Sequence, residues 1–523
     1  MSVAANVHPF PKELAEQAEI IKQYVQKEEL DFFETRFEML DYDQINQVAA
    51  YGGFPQRYPH WRFGMEFERL RKQHTYGLGK IYEMVINNDP CYAYLLTDNA
   101  MVDQKLVMAH VYAHCDFFKN NIWFKHTNRS MIDEMANHAT RVRRHVNHHG
   151  YEAVERFIDT CLSLENLIDP YSPFIRREPD LHSPEQTAPN GAQQDAPRFP
   201  AKGYMDRYIN PPSPTREVQP LEAAKASGQV TIPAQPQRDV LLFLMRHAPL
   251  ADWQSDILSL IREEAYYFVP QGQTKIMNEG WATYWHSTIM TRYVLRDDEL
   301  VTYCDHHSGT VASQPGRLNP YKVGLELLRD IEARWNTGRY GKDYDECREI
   351  DARRNWGRDV SVPERVVGKG SPGREKIFEV RRIHNDVTFI DEFLTPEFVE
   401  RYQLYHYRMD PATGRMVVVN RDFDKIKAQL LYSLTNHGKP YIYVVDGNYA
   451  NRGELYLAHK HNLFDLDIRF ATETLRNLFN IWSRPVHLQA RIDDEMILFT
   501  FDGEQSQQQR ITDKDLPGPA HQV

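Results

Sequence analysis

Histidines and carboxylates at helical spacing are the residues of this chain that could do chemistry. In Leu106-Val-Met-Ala-His-Val-Tyr-Ala-His-Cys-Asp-Phe-Phe118, His110 and His114 stand four apart. On a helix both rings leave one face, one turn apart. Leu106, Val107, Phe117 and Phe118 extend the same stripe and turn it toward a core. This is the spacing of H-E-x-x-H zinc sites, although Val111 stands where that motif has its catalytic Glu. A second stretch, Lys275-Ile-Met-Asn-Glu-Gly-Trp-Ala-Thr-Tyr-Trp-His286, puts Ile276, Glu279, Thr283, His286, Met290 and Tyr293 on one helical stripe. Trp281, Tyr284, Trp285 and Ile289 occupy the other faces, and a helix apolar all round is buried. A buried, unpaired Glu279 or His286 is too costly to keep. A shared metal ion would pair them with His110 and His114; a closed hydrogen-bond network is the competing arrangement, and the commoner one for a core histidine.

Two further stretches offer helpers. Trp253–Phe268 reads as a helix with Ile257, Leu260, Ile261, Glu264 and Phe268 inward, so Glu264 faces the interior while Glu263 need not. Tyr266 and Tyr267 adjoin it. A helix opened by Ser130 has Met131, Met135, His138, Val142 and Val146 on its inner stripe. There Glu134 and His138 are another i, i+4 pair, and His138 is a reserve ligand or a group behind a ligand.

The elements around these residues predict a mainly α N-terminal domain and a smaller C-terminal α+β domain. Residues 10–175 form the first helical half, and Ala15–Phe37 reads as helix. Residues 176–237, dense in proline, read as a linker or surface arm with no core of its own. Residues 238–370 form the second helical half, with Asp305–Gly309 as a polar turn and Asn319–Trp335 as an amphipathic helix. From 371 to 508 strand-like runs (Asp386–Ile390, Gln403–Arg408, Arg415–Val419) alternate with helices at Phe423–Asn436 and Arg469–Trp482. Hairpins follow at 441–459 and 486–501. The α+β part carries no catalytic constellation and reads as an interaction module.

Composition narrows the function classes. Seventy-three acidic against 62 basic residues give a net charge of -11, which argues against a general nucleic-acid binder. No apolar run is long enough to span a membrane, and the N-terminus shows no secretory signal. The five cysteines are odd in number and lack a C-x-x-C pair, as expected of reduced thiols in a cytoplasmic protein.

Three stretches resemble the SpoVR (stage V sporulation protein R) family: Pro59-His-Trp-Arg-Phe-Gly-Met-Glu-Phe-Glu-Arg-Leu70, Met108-Ala-His-Val-Tyr-Ala-His-Cys-Asp-Phe-Phe-Lys-Asn-Asn121 and Ile276–His286. The resemblance covers most of residues 10–500. It implies a bacterial cytoplasmic protein, associated in endospore formers with the spore cortex. In bacteria that form no spores it implies a setting beside a PrkA-type serine kinase and a YeaH-type partner. Glu279-Gly-Trp-Ala-Thr-Tyr284 is also similar to the E-G-W-A-x-Y segment of gluzincin-type metallopeptidases. That similarity implies a zincin-like helical core in which Glu279 is the third zinc ligand beside His110 and His114; Val111 departs from the pattern.

Two functions follow as expectations. One is a divergent zincin-like hydrolase of a peptide or amide bond in cell-wall metabolism. Zinc would sit on His110, His114 and Glu279, with Glu264 as general base. Tyr266 or Tyr267 would support the oxyanion, and His286 would be a fourth ligand or proton donor. The other is a non-catalytic regulatory or scaffold protein working with the kinase and its partner, its inward polar groups forming a hydrogen-bond network.

Overall fold

A computed structural model describes residues 9–75, 83–175, 231–356, 370–462 and 464–512, with 517 and 520. Most of the expected proline-rich arm, 176–237, lies outside the described residues. The chain divides into two compact units, residues 1–162 with 256–439 and residues 163–255 with 440–523.

The first unit is mostly helical. Its described elements begin with α1 (Lys12–Lys27), β1 (Thr35–Leu40), α2 (Tyr42–Ala50), α3 (Trp61–Thr75), β2 (Glu83–Ile86) and β3 (Cys91–Leu96). The helices α4 (Met101–Asn120), α5 (Met131–His149) and α6 (Tyr151–Ser163) follow. In the second unit lies α7 (Val240–His247). The chain then enters α8 (Asp252–Gln273), α9 (Lys275–Ile289), α10 (Leu300–Thr310) and α11 (Pro320–Asn336). Short α12 (Lys342–Asp345) and α13 (Ile350–Asn355) lead to α14 (Pro372–Ile383), α15 (Asp386–Phe393), α16 (Pro396–Tyr402), the ribbon β4 (His406–Met409) and β5 (Met416–Asn420), and α17 (Phe423–Leu434).

Four expectations are corrected. The helix expected to run to Phe37 ends at Lys27. Glu29 takes a positive φ of 65°, and Thr35–Leu40 pairs in parallel with β3. Asp305–Gly309 is the second half of α10, not a turn. Asp386–Ile390 is helix rather than strand, because Asn385 and Thr388 form a capping box and Phe389, Ile390 and Phe393 fall on one buried face. The units divide at 439/440 rather than near 370: Ile377, Val380, Phe389, Phe398 and Ile426 share one apolar core with α1, α4, α9 and α11.

The second unit is α+β. Its strands β6 (Tyr441–Tyr449), β7 (Glu454–Lys460), β8 (Val486–Ile492), β9 (Glu495–Phe501) and β10 (Ser506–Arg510) make one sheet in the order β10-β9-β8-β7-β6. Only β7 and β8 run parallel, and α18 (Ile468–Trp482) connects them. Asp467 caps α18, whose stripe Ala471, Leu475, Leu478 and Ile481 is buried. Among the described residues no helix is long and apolar enough to cross a membrane.

His459 on β7 gives this unit an acid-sensitive point. Burial holds its imidazole down to about 4, and its Nδ1 has no hydrogen-bond partner. The unfolded chain protonates that ring near the ordinary histidine value, so stability is lost as pH falls from there toward 4. Between about pH 7 and about pH 4 the expected loss is on the order of 3 kcal/mol. Urea unfolding followed across that range should show it in the wild type, and His459→Leu should remove this part of the dependence.

Candidate metal centre

Two helices of the first unit meet at the site, and both are apolar on almost every side. From Val102 to Phe118, α4 has only Leu106 not fully buried. The α9 helix buries eleven of its fifteen residues. Their register is pinned at several points. Asp386 accepts from Ile276 N–H at 2.8 Å and Met277 N–H at 2.9 Å, closing the start of α9 with a carboxylate where the helix dipole favours one. Trp281 Nε1–H donates to Asp116 on α4 at 2.8 Å. On its other side α9 crosses α11 with Gly280 against Gly324, where neither residue has room for a Cβ.

This packing brings His110, His114 and Glu279 together, each with a ligand atom within 4.8 Å of the others. Glu279 Oε2 lies 3.6 Å from His110 Nε2 and 3.5 Å from His114 Nε2. Those separations are long for hydrogen bonds, and Glu279 Oε2 is buried without one. They do match the edge of a tetrahedron built on zinc–ligand bonds of about 2.0–2.2 Å, roughly 3.3–3.5 Å. The donor set therefore fits a divalent metal.

The far side of each ring is already held. His114 Nδ1–H donates to Asn278 Oδ1 at 2.8 Å, which leaves the Nε2 lone pair facing Glu279. His110 Nδ1 meets His286 Nδ1 at 2.8 Å, and His286 Nε2 meets His307 Nδ1 at 3.0 Å. One proton sits in each contact. If the donors run outward from His110, its Nε2 keeps a lone pair for the centre. Burial, then the neighbouring His110, lowers the His114 pKa to about 4. Burial also takes His286 well below the ordinary value. For Glu279 burial works the other way, but the neighbouring His110 and His114 outweigh it and keep the carboxyl below its usual range. At neutral pH the site therefore presents a neutral His114 imidazole and, in Glu279, an anionic carboxylate.

Other residues expected at the site take different places. His286 has both ring nitrogens engaged by histidines, so it positions His110 and offers no free atom as a fourth ligand. Glu264 faces inward as expected, but its Oε2 accepts from Arg57 at 2.6 Å and its Oε1 meets His138 Nδ1 at 3.0 Å. Both oxygens are occupied in another cluster, so the expected base is not poised at the centre. Tyr267 is buried against Phe54 and donates to the Asn87 carbonyl at 3.2 Å, and Tyr266 lies against Arg262. Neither tyrosine belongs to the three-ligand group. Val111 is buried in the apolar core. Sequence reasoning missed Asn278, His307, Asp386 and Arg57. Asn278 adjoins Glu279, and that adjacency was its one local signal.

His138 centres a second group. Its Nε2 lies 3.4 Å from Glu263 Oε2, and Glu134, His138 and Glu263 have ligand atoms within 4.8 Å of one another. Burial opposes charging this ring, but the neighbouring carboxylates of Glu263 and Glu264 prevail and raise its pKa to about 9.

Comparison with known proteins agrees with this picture at the level of family. The chain is 29% identical over 511 residues to the uncharacterized protein YcgB of Escherichia coli (strain K12), covering 92% of each. No solved structure matches. The family described as SpoVR like protein matches residues 10–439, ending where the first compact unit ends. That span holds both histidine–glutamate groups and most of the chain, and the protein belongs to the SpoVR family.

Proposed function

We propose that this protein is a zincin-like metal-dependent hydrolase, with zinc held by His110, His114 and Glu279 and a peptide or amide bond of cell-wall material as its substrate class. The observation that carries the reading is the buried Glu279 Oε2, which lacks a hydrogen bond and stands at ligand-edge distance from two imidazoles. Zinc on two imidazoles and a carboxylate keeps a position for water and lowers that water's pKa. Asn278 and His286 orient the rings, and the apolar walls of α4 and α9 exclude bulk water. A proton leaving the site could pass from His286 to His307, which is partly exposed.

The second reading is a non-catalytic scaffold or regulator acting with a PrkA-type kinase and a YeaH-type partner. Val111 in place of a general base favours it, as does the engagement of Glu264 by Arg57 and His138. The cytoplasm and, in spore formers, cortex assembly are the proposed setting for either reading.

Metal analysis of the full chain tests the first. Glu279→Gln should abolish zinc binding at this centre. Asn278→Ala should leave the ligands but weaken affinity by about 10–100-fold, the usual cost of losing a group behind a ligand. Zinc affinity unchanged in both variants would refute the metal centre. Zinc retained by the wild type together with full complementation by Glu279→Gln would favour the scaffold.

A further inference from the structure

The helices α5 and α8 face each other through long polar side chains. At one end of this seam Asp256 pairs with Arg141 and with His145 Nε2, the latter at 2.7 Å. Further along, Glu264 is held by Arg57 and by His138 Nδ1. Between these pairs stand Glu134, which accepts from Asn137 Nδ2 at 3.5 Å, Glu263, which Asn128 also bonds, and the other nitrogen of His138.

We propose that His138 Nε2, Glu134 and Glu263 bind a divalent transition-metal ion, forming a second metal centre separate from that of His110, His114 and Glu279.

Three observations support it. First, His138 is fully buried, and its Nε2 points at Glu263 from 3.4 Å without hydrogen-bond geometry. That distance again matches the edge between two ligands on one tetrahedral ion, roughly 3.3–3.5 Å for bonds of about 2.0–2.2 Å. Second, the back of the ring is set for ligation. Glu264 Oε1 accepts the Nδ1 proton at 3.0 Å, and Arg57 fixes Glu264 from its other oxygen at 2.6 Å. A carboxylate behind a histidine in this way fixes the tautomer that leaves Nε2 a lone pair, and makes that nitrogen more basic. Third, the charges balance. Arg57 offsets Glu264, which leaves Glu134 and Glu263 as two negative charges for one divalent cation.

Access and donor type narrow the ion. Glu263 is 42% exposed, so an ion can enter along the helix surface and water can complete its shell. One imidazole and two carboxylates form a harder donor set than two imidazoles and one carboxylate. It suits manganese, iron(II) or zinc better than a thiophilic ion. The same Nε2 can instead carry a proton between the two glutamates. Ion and proton exclude each other there: binding the metal releases that proton to solvent.

The experiment strips full-length protein with a chelator, reloads it by dialysis against Zn2+ and, separately, Mn2+, and counts bound metal by elemental analysis. The wild type should take two equivalents of Zn2+. His138→Ala and Glu263→Gln should each take one, His114→Ala should take one, and His114→Ala with Glu263→Gln should take none. Glu263 is half-exposed, so its substitution reads the centre even if His138→Ala does not fold. Wild-type metal content in Glu263→Gln and in folded His138→Ala would overturn the proposal. One equivalent in the wild type, lost in His114→Ala and kept in Glu263→Gln, would refute the second centre and leave the first. The converse pattern would keep the second and refute the first, and no metal in any form would refute both.

Discussion

Gly280→Ala is expected to lower stability by at least about 3 kcal/mol, the upper end for overpacking, and to abolish metal binding at the proposed Glu279 centre. A Cβ at residue 280 would overlap the Cα and carbonyl carbon of Gly324, and one at residue 324 would lie 2.7 Å from Gly280 Cα. The obstacle is backbone on both sides, so no side chain can swing away. Relief requires α9 and α11 to separate, and Glu279, the next residue along, would move with α9. The contrast is Gly64 in α3, where a Cβ meets nothing within 4 Å. Gly64→Ala should leave metal binding intact and raise stability by about 0.5–1 kcal/mol, since glycine is costly inside a helix. Urea unfolding with metal analysis checks both. A Gly280→Ala protein as stable as the wild type would show that the α9–α11 contact is looser than described.

Asp116→Ala is expected to cost about 3–5 kcal/mol, the range for breaking a buried ion pair from one side. Asp116 is fully buried on α4. It accepts from Arg381 Nη1 at 2.8 Å to each oxygen, from Trp281 Nε1 at 2.8 Å and from Asp31 N–H at 2.7 Å. One carboxylate therefore joins α4, α9, α14 and the segment after α1. Alanine leaves the Arg381 guanidinium buried without its counter-charge and Trp281 without an acceptor. Replacing both partners, Asp116→Leu with Arg381→Met, should recover much of the loss, because no orphan charge remains. A loss under about 1 kcal/mol for the single change would mean that water reaches Arg381.

The first site was largely legible because each of its parts is local. His110 and His114 share a face by helical period alone, and Glu279 sits in a short recognisable segment. Glu264 shows the limit of such reasoning. Its inward orientation follows from the period of α8, but an inward direction does not specify the neighbour. Arg57, from a loop about two hundred residues earlier in the chain, meets it instead of the expected centre. Val387, Thr388, Phe389 and Ile390 are strand-favouring residues, and on their account Asp386 reads as strand. The capping pair Asn385 and Thr388, together with burial on one helical face, overrode that preference. The polar run Asp305–Gly309 reads as a turn, yet α10 runs through it and puts the His307 ring against His286. The division between units was misplaced because α14 to α17 carry short, mixed patterns whose burial depends on partners far away in sequence.

The distance along the chain between the two halves of the first site sets a timetable. His114 and Asn278 are 164 residues apart. At about 5–20 residues per second of synthesis, roughly 10–30 s pass between the emergence of α4 from the ribosome and that of α9. Throughout that interval the nascent chain displays two histidines of an incomplete coordination set. It can hold an ion only weakly, and any ion captured then can exchange before Glu279 arrives. On the proposed metal centre, commitment to one ion would therefore come after translation of α9. The ion such a centre retained would then reflect the supply at that later moment rather than preloading during synthesis.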